Sequence, residues 1–221
     1  MILGLFDTET TGLDPKKDKC IEVALVRYDV DSKSVLDCYS SLIYSESNEA
    51  ESVNDIPVEA LKMGAEASEV WDRVDEMRID AIVAHNCDFD RQWVPVERRI
   101  LSVPWVDSCD GLTWPKQTRP GMNLVSLCLA HGLGVASAHR ALTDCLLLAS
   151  LLTRASMYVD LVGLLAKGLR PRVEVRALVP YERKDEAKAS GFRWDDSRRW
   201  WVKKMCLEDA NELTFKVQIV K

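Results

Sequence analysis

The sequence predicts an α/β fold built on a mixed sheet, with a small α+β module after it. Three observations point there. Strand-like segments come first and in succession, at 1–8, 20–30 and 34–44. Short apolar runs then alternate with segments of helical period. Near "AKGLRPR" (166–172) glycine and proline cluster and the charge balance reverses. We therefore expect one domain over 1–168 and a basic, Trp-rich accessory module over 172–221.

The elements follow in order. "CIEVALVRYDV" and "SVLDCYSSLIY" flank the polar turn Asp31, Ser32 and Lys33, so the early strands form a meander. "SESNEAESVNDIP" (45–57) is polar and acidic, and reads as a loop. A short helix is expected after Pro57. Ala67, Val70, Trp71, Val74 and Met77 recur at helical spacing. "DAIVAHN" (80–86) is a buried strand. Phe89, Trp93, Val96 and Ile100 make a helical stripe that Pro95 bends or limits. "VPWVD" (103–107) is a further strand, and 113–123 a loop. "LVSLCLAHGLG" (124–134) is a helix stopped by its glycines. Residues 139–168 read as one long helix or two. An antiparallel part followed by a parallel part makes the sheet mixed.

The 221 residues carry a net charge of −6. Residues 1–169 hold 16 Lys and Arg against 26 Asp and Glu; residues 170–221 hold 13 against 9. The body is thus at −10 and the tail at +4. An acidic body does not advertise phosphate binding, whereas a basic tail with aromatics can. Seven scattered cysteines without a CxxC pair argue for reduced thiols in a cytoplasmic protein, and against a disulfide frame or a zinc site. No stretch has the length of a membrane span, and the N-terminus lacks the basic region of a secretory signal.

Three segments carry candidate chemistry. In "FDTETTGL" (6–13), Asp7 and Glu9 share one strand face if the strand persists that far. Paired acids raise each other's pKa, and a divalent cation relieves them; a solvated turn is the plainer reading. In "HNCDFD" (85–90), Asn86 and Asp90 are four apart and share a helix face, although helix capping is the plainer reading of the segment alone. Phe89 points to the core, and Asp88 lies elsewhere on the helix. In "HRALTD" (139–144), His139 converges with Asp144 if it lies in the loop before the helix. Asp144 directly precedes "CLLLASLL", and an acid beside core needs a partner. His85 belongs to the turn of its segment, and His131 reads as a helix-end residue.

Taken together and in this order, the three segments resemble the motifs of the DEDDh (DnaQ-like) 3'–5' exonucleases. The resemblance covers about residues 1–160. It implies a ribonuclease H-like fold, a five-stranded mixed sheet with helices on both sides. It also implies two ions, Mg²⁺ or Mn²⁺, held by Asp7, Glu9, Asp90 and Asp144, with His139 as general base. An imidazole titrates near neutral pH, which suits that task. Thr10 and Asn86 would lie near the terminal nucleotide, and Leu13 and Ile56 would wedge or stack against the terminal bases. Ordinary packing remains the alternative for Leu13 and Ile56.

The tail reads as a strand (173–179), a short helix (182–190) stopped at Gly191, a hairpin turning at Asp195, Asp196 and Ser197, and a last strand. It resembles a small domain appended to plasmid and phage primase-type proteins. Arg193, Arg198, Arg199, Lys203 and Lys204 interleave with Trp194, Trp200 and Trp201, the residue types that stack bases and hold phosphates. Those tryptophans would otherwise be the core of a tiny domain.

The expected function is removal of nucleoside 5'-monophosphates from 3' ends, with DNA favoured over RNA, no membrane, and a polymerase or replication and repair partner. An RNA-trimming or oligoribonucleotide-degrading enzyme keeps the same chemistry. An aspartyl-phosphate phosphatase and a non-catalytic binding subunit are the remaining alternatives.

Overall fold

The computed structural model describes residues 1–136 and 139–220. The chain opens with β1 (Ile2–Thr10), β2 (Cys20–Asp29) and β3 (Ser34–Leu42), an antiparallel meander. Then come α1 (Glu51–Asn54), α2 (Val58–Leu61), α3 (Ala67–Glu76), β4 (Ala81–Ala84), α4 (Cys87–Arg91) and β5 (Trp105–Asp107). Helices α5 (Leu124–Ala130), α6 (Ala141–Ala155) and α7 (Leu161–Gly168) complete the body. The sheet order is β3-β2-β1-β4-β5. Strands β4 and β5 extend β1 in parallel, so the sheet is mixed as the sequence implied.

Period-two alternation sorts β1 between two cores. Leu3 and Leu5 pack with Ala24 and Val26 of β2 and with Leu148, Leu151 and Leu152 of α6. Phe6 packs on the other face with Val70, Trp71 and Val74 of α3. The residues that continue the Leu3–Leu5 row are Asp7 and Glu9. Their side chains therefore leave the sheet on the α6 side, where the apolar core ends.

A second sheet follows, built from β6 (Val173–Ala177), β7 (Arg193–Asp195), β8 (Trp200–Met205) and β9 (Val217–Ile219), in the order β7-β8-β6-β9. The helices α8 (Lys184–Ala189) and α9 (Leu207–Ala210) accompany it. Its own core is Val175, Ala187, Phe192, Met205 and Phe215. Among the described residues, no helix is long and apolar enough to cross a membrane.

The structure decides the open alternatives and corrects other expectations. The stripe from Phe89 to Ile100 is not one helix. After α4 the chain turns at Pro95, Val96 is 92 % exposed, and only a single 3₁₀ turn forms at Arg99–Ser102. Pro95 supplies no N–H to continue a helix. The segment 139–168 is two helices, because Asp160 caps α7 by accepting from Val162 N and Gly163 N at 3.1 and 2.9 Å. The acidic loop 45–57 is folded around Asn54, which is buried and closes α1. Asn54 Oδ1 accepts from Asn48 Nδ2 (2.9 Å) and Ile56 N (3.1 Å), and Asn54 Nδ2 donates to Thr10 O (3.2 Å). This side chain ties the loop to the end of β1. The turn α9 had no signal in the sequence.

Asn54→Ala removes one donor and one acceptor and leaves buried partners unpaired, so we expect a loss of about 2 kcal/mol in urea unfolding. Leu13→Ala, at an exposed position, should change stability by less than about 0.5 kcal/mol. Equal midpoints for Asn54→Ala and the wild type would show that the loop is held by other contacts.

Candidate active site

Three carboxylates meet where β1 leaves the core. Asp7, Glu9 and Asp144 each offer an oxygen, and these atoms lie within 4.8 Å of one another. Strand β1 persists to Thr10, so Asp7 and Glu9 do share a face. Asp144 arrives from the first turn of α6, which packs on β1 and β2. Among the described residues, nothing donates to Asp144 Oδ1, although that atom is buried. An orphaned buried oxygen beside two more carboxylates fits a hard divalent cation, since oxygen donors select such ions.

Asp90 stands apart from this trio. It is 2 % exposed, and its Oδ1 accepts from both Thr8 N (3.0 Å) and Thr8 Oγ1 (2.9 Å). Thr8 follows Asp7 in β1 and holds Asp90 through these two bonds. Asn86 does not share a helix face with Asp90. It takes a left-handed conformation (φ 77°), its side chain makes no cap, and it is exposed. Its N–H donates to Asp107 Oδ1 at 3.1 Å. Asp88 is exposed and pairs with Lys204.

His139 lies in the loop before α6, as convergence with Asp144 requires. It is exposed and left-handed, with φ 64°. The residue after it is clamped. Arg140 Nε and Nη2 donate to Glu22 Oε2 (3.1 Å) and Oε1 (2.7 Å), and Ala141 N donates to Glu22 Oε2 (3.0 Å). Glu22 is 3 % exposed and sits directly opposite Glu9 in the β1–β2 register. Neither Glu22 nor Thr8 was singled out from the sequence. The signal for Glu22 was a lone acid inside "CIEVALV", which can be buried only with a partner.

The other candidates divide. Leu13 is 81 % exposed and free to meet a ligand. Ile56 is 1 % exposed and packs with Ile21 and Leu61, so the stacking expectation is corrected to core packing. Thr10 is buried and its hydroxyl donates to Gly12 O at 2.6 Å, which leaves it shaping the turn. His85 bridges Ser108 Oγ (2.9 Å) and Met122 O (3.0 Å). A carbonyl only accepts, so Nε2 carries the proton and Nδ1 accepts from the serine. Burial lowers the His85 pKa and keeps that tautomer neutral. His131 closes α5, with Nδ1 2.8 Å from Leu127 O. The seven cysteines are free thiols.

With this geometry in view, the comparisons are direct. The family model described as Exonuclease (RNase_T) matches residues 5–152. The chain belongs to the exonuclease family. This exonuclease is a phosphodiester hydrolase of the 3'–5' class, acting on nucleic acid. It is 30 % identical over 150 residues to a DNA polymerase III subunit epsilon of Treponema pallidum, covering 63 % of this chain and 69 % of that one. A DNA polymerase III PolC-type of Thermotoga petrophila is 27 % identical over 192 residues; this chain spans 80 % of itself but 14 % of that polymerase in the match. Among solved structures, exonuclease X in complex with 5' overhanging duplex DNA superposes with a TM-score of 0.57 at 25 % identity, covering 75 % of this chain and 99 % of that one. A domain of unknown function (DUF8626) matches residues 173–220.

The electrostatics of the exonuclease follow from crowding. Burial, and then the charges of Asp90, Glu9, Asp144 and Glu22, hold the Asp7 carboxyl well above the usual range. Burial, followed by Glu22, Asp144 and Asp90, pushes Glu9 up to about 8, against the pull of Arg140. Burial pushes Asp90 up to about 7 despite the Thr8 hydrogen bonds that favour its charged form. Asp144 is raised mainly by burial, and the His139 backbone N–H and imidazole oppose the rise.

A carboxyl with a raised folded-state pKa binds its proton more tightly folded than unfolded. Its contribution is complete below the ordinary value near 4 and is lost as pH climbs toward the folded value. The metal-free exonuclease should therefore melt at a falling temperature as pH rises from about 4 to about 8. Added Mn²⁺ should raise that temperature more at the upper end of this window than at the lower. Equal shifts at both ends would show that the ion does not engage these carboxylates.

Proposed function

We propose that this exonuclease shortens DNA from its 3' end, releasing nucleoside 5'-monophosphates. The observation that carries the reading is the meeting of Asp7, Glu9 and Asp144, from a strand and a helix far apart in sequence, within 4.8 Å. Asp7, Glu9 and Asp144 hold one divalent cation, Mg²⁺ or Mn²⁺. Asp7 and Asp90 hold a second. When bound, such ions neutralise the carboxylates and the charge that develops on the phosphoryl group.

The side chains do the rest. Thr8 fixes Asp90 through one carboxylate oxygen, and the other would serve the ligand. The Glu22–Arg140 clamp sets the start of α6, and with it the position of His139. His139 takes a proton at an imidazole nitrogen from the attacking water. The water oxygen bonds to phosphorus, the P–O3' bond breaks, and the departing O3' takes a proton from solvent, so that the shortened strand keeps a 3'-hydroxyl. Leu13, exposed on the turn after β1, stacks on the terminal base, and Asn86 lies beside the terminal nucleotide.

DNA is favoured because the polymerase III relatives and exonuclease X, by their descriptions, are DNA enzymes. The same relatives support a polymerase or a replication and repair protein as partner.

Asp7→Asn should abolish hydrolysis and reduce the Mn²⁺-dependent rise in melting temperature, with the fold intact by circular dichroism. His139→Ala should slow turnover by about 10²–10⁴-fold and leave the Mn²⁺ shift in place. Full activity in Asp7→Asn would reject the site. Digestion of end-labelled single-stranded, double-stranded and mismatched DNA, alongside RNA of the same sequence, fixes polarity and substrate. Faster cleavage of RNA would replace DNA with RNA as substrate.

A further inference from the structure

The C-terminal sheet has two unlike faces. In the β6–β8 register, Val175 and Met205 lie on the face that packs with Ala187 of α8. Trp200, Val202 and Lys204 alternate onto the other face of β8, opposite Arg176 and Glu174 of β6. Of the three tryptophans, Trp201 packs against the module core. Trp200 does not belong to that core; it is 36 % exposed, and the Arg176 guanidinium lies 4.4 Å over its ring. Trp200 thus lies outside the module core, stacked with Arg176 on the outer face.

One contact joins the outer face to the helix that carries Asp90. Lys204 pairs with Asp88 of α4, the helix that carries Asp90. Arg193, which faces Val202 across the β7–β8 register, reaches Asp110 at 3.0 Å. From Lys204 back to Trp200 is four residues of strand, about 13 Å at 3.3 Å each. A stacked nucleic-acid strand rises about 3.4 Å per nucleotide, so this path matches about four nucleotides.

We propose that the outer face of the C-terminal sheet binds the single-stranded part of the substrate upstream of its 3' end, with Trp200 and Arg176 as a base-stacking platform and Lys204 as the phosphate contact nearest the site. The proposal rests on the exonuclease reading above. A polymer whose end is held by the carboxylates must continue somewhere, and this face is continuous with α4. An aromatic ring with a cation over it suits a base of any sequence, and the cations around it suit phosphates. The acids on this face, Glu174 and Asp195, are both held by Arg198, at 2.6 and 2.5 Å. They are neutralised where a strand would pass.

The test uses the full chain with divalent cations chelated, so that no strand is cut. Anisotropy of labelled oligothymidylates of about four and about twelve nucleotides gives the affinity gain from the added length. Trp200→Ala should reduce that gain about tenfold, in line with about 1–3 kcal/mol per stacked base, and Trp200→Phe should restore part of it. Lys204→Ala should lower the salt slope for the longer strand by about 0.7. An unchanged gain in Trp200→Ala, an unchanged slope in Lys204→Ala, or a Trp200→Phe no better than Trp200→Ala would overturn the proposal. The exonuclease reading fails on a different result, absence of hydrolysis by the wild type with Mg²⁺, and the binding ratio is read without catalysis.

Discussion

Everything in the body of this protein is arranged around carboxylates that repel one another at the end of a buried strand. The charges of Asp90, Asp144 and Glu22 all bear on the Asp7 and Glu9 carboxyls. Left in water they would spread apart. Here the strand pairing of β1 with β2 and the packing of α6 on both hold them together. The apolar rows that build the core and the acidic row that leaves it are one alternating pattern, Leu3, Leu5, Asp7 and Glu9. The hydrophobic face thereby confines the charges, and the confinement is what makes them able to hold a cation.

The acids are relieved in different ways, and the differences assign them different work. Glu22 has Arg140 and a helix N–H, so it is neutralised inside the protein and acts as a strut. Asp90 has two hydrogen bonds from Thr8 on one oxygen, which orients it. Asp144 Oδ1 has no protein donor among the described residues. Partner supply thus falls from Glu22 through Asp90 to Asp144. The groups poorest in protein partners are the ones with most to gain from a ligand. His139 precedes the clamped Arg140 in the chain and lies five residues before Asp144, in a left-handed conformation.

Much of this was legible in the sequence, for physical reasons. Strand alternation placed Asp7 and Glu9 on one face, and an acid abutting the apolar run of α6 marked Asp144 as needing a partner. The meander and the mixed sheet followed from the order of strand-like and helical segments. What was not legible was how side chains are satisfied across long sequence separations. Glu22 and Arg140 are 118 residues apart, and Thr8 and Asp90 are 82 apart. Ile56 looked available because it lies in an acidic loop; Asn54 folds that loop inward and buries it. The stripe at Phe89 kept a helical period through Pro95, where the backbone could not.

The charge asymmetry of the chain finds a physical use in the same terms. A body at −10 would repel a polyanionic substrate at any approach not screened by salt. The basic module is joined to that body through opposite charges: Arg170 reaches from the end of α7 to Asp209 at 2.8 Å, Arg193 reaches Asp110 at 3.0 Å, and Lys204 meets Asp88. Arg172 adds a hydrogen bond to Asp110 O at 2.8 Å. One of these contacts, Lys204 with Asp88, places a cation against an acid of α4. The seam therefore lowers the negative potential around that helix. Exposed ion pairs contribute little to stability, about 0–1 kcal/mol each, so their greater effect is on the field met by an approaching phosphate. An acidic body that acts on nucleic acid gains from a basic neighbour held in a fixed place, and the contacts across this seam supply one.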